Sequence, residues 1–173
     1  MTGRFDISIS LGVADLDAAL DRAVKGGTDM RQPMGEVAEE WLDHVRARFD
    51  QERDPFGVPW KKRWADPSAP DDASRKLLHL TGDLERVIVP DFGSDFAQVG
   101  VLKTAGPARY ARIHNDGGTI VPRHKAALSF GGRLVSRVVM PRRQYIGDGP
   151  AERASVVEIF TDFLRGLFRG ASS

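Results

Sequence analysis

Six large apolar side chains, Met30, Met34, Val37, Trp41, Val45 and Phe49, recur at spacings of three and four. That spacing lines one face of an α-helix and leaves the other face to Glu36, Glu39, Glu40 and Asp43. A helix this one-sided has to bury its stripe against a second layer of structure. The helix is expected to begin near Thr28 or Asp29 and to end near residue 50, with Pro33 tolerated because it falls in the first turn.

The second layer reads as β-structure. Phe5, Ile7, Ile9 and Leu11 alternate with Asp6, Ser8 and Ser10, the period of a half-buried strand. Residues 87–89 and 96–101 read as strands around a turn at Asp91-Phe92-Gly93-Ser94, and 119–121 and 134–140 as two more, the last ended by Pro141. Short helices are expected after Asp15, over 75–88 (with Gly82 as an interruption) and over 107–115, where Gly117-Gly118 stops the helix. From Pro150 onward Val156, Val157, Phe160, Phe163, Leu164, Leu167 and Phe168 form a broad apolar stripe, a second long helix over about 151–168. The expectation is a single α+β domain over 1–173, with an antiparallel sheet of about four or five strands. The helix of the N-terminal half and the C-terminal helix cover it. Two segments stand apart as mobile or partner-docking loops: 53–73, rich in proline yet carrying Phe56, Trp60 and Trp64, and 122–133.

Charge is unevenly spread. Residues 1–100 hold 13 Lys and Arg against 19 Asp and Glu, whereas 101–147 hold 9 against the single acid Asp116, although the whole chain is only +1. A basic block set against an acidic one suits an anionic partner, either nucleic acid or the acidic part of a neighbouring copy, or else the two halves meet within one fold. The chain has no cysteine, so disulfides, thiolate metal sites and cysteine nucleophiles are excluded. No apolar run approaches a membrane span, and the N-terminus has no signal-peptide pattern.

Catalytic patterns are missing. His44, His79, His114 and His124 form no pair at metal-ligand spacing, and His44 reads as part of a solvated helix surface. Gly117-Gly118 and Gly131-Gly132 belong to no phosphate-binding motif, and no Gly-x-Ser-x-Gly elbow exists. His114-Asn115-Asp116 offers one acid where a nuclease needs several converging on a cation. No metal, cofactor or enzymatic activity is expected.

Three stretches carry a family resemblance. Phe49 is followed by Asp54-Pro55-Phe56-Gly57-Val58-Pro59-Trp60. Next comes Tyr110-Ala111-Arg112-Ile113-His114-Asn115-Asp116-Gly117-Gly118, and then Met140-Pro141-Arg142-Arg143-Gln144-Tyr145-Ile146-Gly147. In this order, with Leu80-Thr81-Gly82-Asp83-Leu84 between the first two, they resemble the phage virion morphogenesis family of tail-completion proteins found in Mu-like and related tailed phages. The loop Arg123–Gly132 departs from the pattern. The resemblance implies a small α+β subunit of a homo-oligomeric, hexameric ring at the head-tail junction. It would contact adjacent neck or tail-tube proteins, with DNA in the lumen as a further contact, no membrane and no cofactor. A tail terminator is the nearby alternative, a nucleic-acid-binding module using 101–147 is the alternative of another class, and a hydrolase on His114 and Asp116 ranks last. The residues expected to make assembly contacts are Phe56, Trp60, Trp64, Tyr110, His114, Arg137, Arg142, Arg143 and Tyr145, with His114 more simply bonded within its own loop.

Overall fold

The computed structural model describes residues 5–12, 29–62, 76–79, 81–123, 126–130 and 133–170. The helix expected after Asp15 and the side chain of Trp64 lie outside them. Strand β1 (Phe5–Gly12) pairs antiparallel with β3 (Phe96–Leu102), which pairs antiparallel with β2 (Ile88–Phe92), giving the order β1-β3-β2. β3 is therefore central, and its alternate residues Ala97, Val99 and Val101 are fully buried. The β2–β3 hairpin closes where the Gly93 amide donates to the Phe96 carbonyl at 2.9 Å.

The long helix α1 (Arg31–Gln51) lies against β2 and β3 with the predicted stripe inward. Its first turn accepts Pro33, and Asp29 Oδ1 accepts the Arg31 amide at 2.9 Å. It ends at Glu52, a non-glycine residue in the left-handed conformation (φ 53°) whose amide donates to the Arg48 carbonyl. That strained end is held from two sides: the Glu52 carbonyl accepts the Trp60 amide at 2.7 Å, and its carboxylate accepts the Leu77 amide at 2.5 Å. The C-terminal helix α4 (Pro150–Gly170) packs on α1, joined by the Trp41 indole N–H to the Glu152 carbonyl at 3.2 Å.

Two expectations are corrected. The helix over 75–88 shrinks to α2 (Asp83–Arg86), because Leu78 (φ 59°) and Gly82 (φ 71°) both turn into the left-handed region that interrupts an α-helix. The sheet is also smaller: among the described residues it has three strands, and the remaining strands form two separate antiparallel pairs. Strand β4 (Gly118–Ile120) pairs with β7 (Val138–Met140), and β5 (Leu128–Phe130) with β6 (Arg133–Val135). What reads as one strand over 134–140 is thus two, broken at Ser136-Arg137, with each half facing a different partner. The α+β class, the antiparallel pairing and the two long helices stand as expected.

Candidate assembly site

The three motifs converge. Residues 141–149 have no regular secondary structure and run as a strap across the end of α1 and across α3 (Ala108–Asp116). A strap without ladder partners must satisfy its backbone polar groups with side chains when it is buried; three buried side chains do so here, and a fourth, Arg143 of the strap itself, ties it to the loop after α1. The Asn115 side-chain Oδ1 accepts the amides of both Tyr145 and Ile146 at 3.0 Å. Arg48, on the inward face of α1, donates to the Tyr145 carbonyl at 3.1 Å and pairs with the Glu152 carboxylate. Glu152 in turn accepts the Gly149 amide at 3.0 Å, which ties the strap to the first turn of α4. Arg143 donates to the carbonyls of Lys61 at 2.8 Å and Lys62 at 3.3 Å, while its own amide donates to the His114 carbonyl at 2.9 Å.

Aromatic packing fills the centre. The Phe49 ring meets Trp60 edge-on at 5.7 Å and Tyr145 at 5.2 Å. The Trp60 indole N–H donates to the Gln144 carbonyl at 3.1 Å, and the Tyr145 hydroxyl to the Ala111 carbonyl at 2.9 Å. Each polar tip thus finds a partner inside an otherwise apolar site. Gly117 allows the strap to come close: its φ is 72°, and a Cβ there would sit 2.7 Å from the Arg142 backbone nitrogen.

This geometry sorts the residues expected to touch a neighbour. Trp60, Arg143 and Tyr145 are corrected: all three are buried in their own subunit, at 5%, 5% and 0% exposure, where they hold the strap and the loop after α1. Trp60 and Arg143 carry hydrogen-bonding tips that irregular backbone needs, and the Tyr145 hydroxyl ties the strap to α3. Phe56 is 62% exposed, at the end of a short loop in which Asp54 Oδ1 accepts the amides of Phe56 and Val58 at 2.9 Å. Arg137 and Arg142 are exposed, Arg142 bonded to the Gln144 side chain. Tyr110 and His114 are half-buried and stack edge-on at 5.8 Å.

Arg48, Glu152 and Asn115 were not among the residues singled out from sequence, although Arg48 left a signal. It follows Val45 by three, so it sits at a position of the apolar stripe, where an arginine has to find a buried partner. Glu152 has no comparable local mark.

His114 bears on the hydrolase reading. Burial, and then the nearby Arg143 guanidinium, hold its pKa below the ordinary 6.5. Asp116 accepts the Asn115 side-chain amide at 2.8 Å, so the acid of this segment is engaged in positioning Asn115. Among the described residues, no group of three or more His, Asp or Glu is placed to hold a metal. Because the folded state disfavours the imidazolium, the unfolded chain binds more protons in the window below 6.5. The stabilisation is complete above that value and is lost as pH falls through the lowered folded value. Urea unfolding over about pH 5 to 8 should show stability declining toward acid, with a shallower decline for His114→Gln. Identical slopes for the two proteins would refute this assignment.

With this architecture in place, the class of protein is defined: the chain belongs to the phage virion morphogenesis family, whose sequence pattern matches residues 11–165. Among its relatives is "Putative capsid assembly protein G" of Escherichia phage Mu, 30% identical over 120 residues that cover 66% of this chain and 72% of that protein. No solved structure matches. Membership assigns the chain a structural or assembly role in building a phage virion. Among the described residues, no helix is long and apolar enough to cross a membrane.

Proposed function

We propose that this protein is a tail-completion or neck subunit that forms a ring at the head-proximal end of the tail. There it acts in tail maturation and head-tail joining without catalysing a reaction. The observation that carries the reading is the family match over 11–165. The fate of the motif residues supports it, since Asn115, Arg143 and Tyr145 are engaged in hydrogen bonds that hold the scaffold together. A ring needs two different surfaces on each subunit, because head-to-tail contacts are heterologous. The acidic 1–100 and the basic 101–147 would supply them, and DNA crossing the lumen is the other anion that the basic segment suits.

The test is complementation of a phage lacking this gene. Arg137→Ala and Arg142→Ala should fold normally, within about 0.5 kcal/mol of wild type, because both side chains are exposed. They should leave heads and tails that fail to join in electron micrographs. Arg143→Ala should instead lose about 1–3 kcal/mol, since it strips donors from two backbone carbonyls. Full plaque yield from well-folded Arg137→Ala and Arg142→Ala variants would refute the assembly role of these arginines. Tail length in the gene-deleted phage separates the alternative: the completion reading expects tails of normal length that do not join, and tails of uncontrolled length would favour a terminator.

A further inference from the structure

The segment from β4 to β7, residues 118–140, is not hydrogen-bonded into the main sheet: β4 pairs with β7 and β5 with β6, and the three-stranded sheet contains none of them. Two-stranded ladders are marginal in water unless something packs on them. Yet this arm exposes Val121 (56%), Leu134 (79%) and Val139 (64%). Its described charged side chains, Arg123, Arg133 and Arg137, are all exposed, and no acid occurs between Asp116 and Asp148. Apolar side chains interspersed with cations make a contact surface for something both apolar and acidic.

The same chain displays such a surface elsewhere. Beside the start of α1 lies a shallow groove with Gly35 and the Phe92 ring in its wall and Asp29, Glu36 and Glu39 along it. Among the described residues, Arg31, lying over Phe92 at 5.3 Å, is the single cation lining it. Glu40 and Asp43 continue the exposed acidic face along the helix. Apolar wall and acidic rim match the arm's apolar residues and basic flank.

We propose that the arm 118–140 of one copy docks in the α1 groove of a second copy, with Leu134 and Val139 against Phe92 and with Arg133 and Arg137 facing Glu36 and Glu39. This rests on the homo-oligomeric reading above and names its two surfaces. Because arm and groove are different parts of the chain, the contact is heterologous and repeats from copy to copy.

The absence of cysteine from the chain permits a clean test. Two single-cysteine proteins, Ser136→Cys on the arm and Gln32→Cys in the groove, are purified separately, mixed and oxidised. Both positions are exposed, so folding should be unchanged. The mixed disulfide should exceed either homodimer by about tenfold, the ratio for a contact preference near 1.4 kcal/mol. Adding Arg133→Glu and Arg137→Glu to the arm protein should abolish that excess. Adding Glu36→Lys and Glu39→Lys to the groove protein as well should restore it. A mixed disulfide at no more than the statistical twofold excess over either homodimer, a dominant Ser136→Cys homodimer, or reversal without restoration would overturn the docking. So would an arm that retains duplex DNA and forms no mixed disulfide. Sedimentation of the wild-type protein separates the two ideas. A ring-sized species without a preferred mixed disulfide refutes this contact and leaves the ring standing, whereas a monomer at every concentration, with no mixed disulfide, refutes both.

Discussion

Arg48→Ala is expected to destabilise the protein by about 3–5 kcal/mol, because it leaves the Glu152 carboxylate buried without its cation. The loss should lower the melting temperature by roughly 10 °C for a chain of this size. Glu152→Ala should act similarly, since it orphans Arg48 and also removes the acceptor of the Gly149 amide. The paired replacement Arg48→Met with Glu152→Leu should lose less than the sum of the two single changes, because no lone charge remains. It will not be neutral, as the Tyr145 carbonyl and the Gly149 amide each lose a partner worth about 1–3 kcal/mol when buried. Chemical denaturation of the four proteins decides the matter: single variants within about 1 kcal/mol of wild type would mean that solvent reaches this pair.

Tyr145→Ala is expected to rank with these changes, at about 3–5 kcal/mol, since it removes a fully buried ring from contact with Phe49 and opens a cavity beneath the strap. Tyr145→Phe isolates the hydroxyl and should lose about 1 kcal/mol or somewhat more, because the Ala111 carbonyl then lacks this donor. Trp60→Ala should be comparably severe and should couple to Tyr145→Ala, because both rings pack on Phe49. Strict additivity of the two, measured as a double-mutant cycle, would show that the strap and the loop after α1 are independent. Loss of assembly in these variants would follow from the fold and would say nothing about a contact surface.

The role of Trp60 and Tyr145 marks the boundary between what a one-dimensional reading reaches and what it does not. Proline and glycine around Phe56, Trp60 and Trp64 read as a loop seeking a neighbour. Trp60 instead returns to the core of its own subunit, because Gln144, 84 residues further on, brings it a carbonyl. Arg143 reads as a surface cation, but two lysine carbonyls capture it. The Met30–Phe49 stripe, the alternation of β1 and the C-terminal stripe were legible, because each is set by a period of 3.6 or 2 within a dozen residues. The family motifs were legible too, as order along the chain. Their meeting was not: Arg48, Asn115, Tyr145 and Glu152 span 104 residues, and no local period encodes a pairing at that separation. The division of 134–140 between two ladders is similar, since strand propensity says that a segment is extended and leaves its partner open. Local periods carried the two long helices and the central strands, composition carried the absence of thiol chemistry, and motif order carried the family. Which motif residues are buried as scaffold and which remain at the surface was set by the folded packing and by no local pattern. That division depends on where an irregular backbone finds its hydrogen-bond partners once α1 has closed over the sheet and α4 has packed on α1.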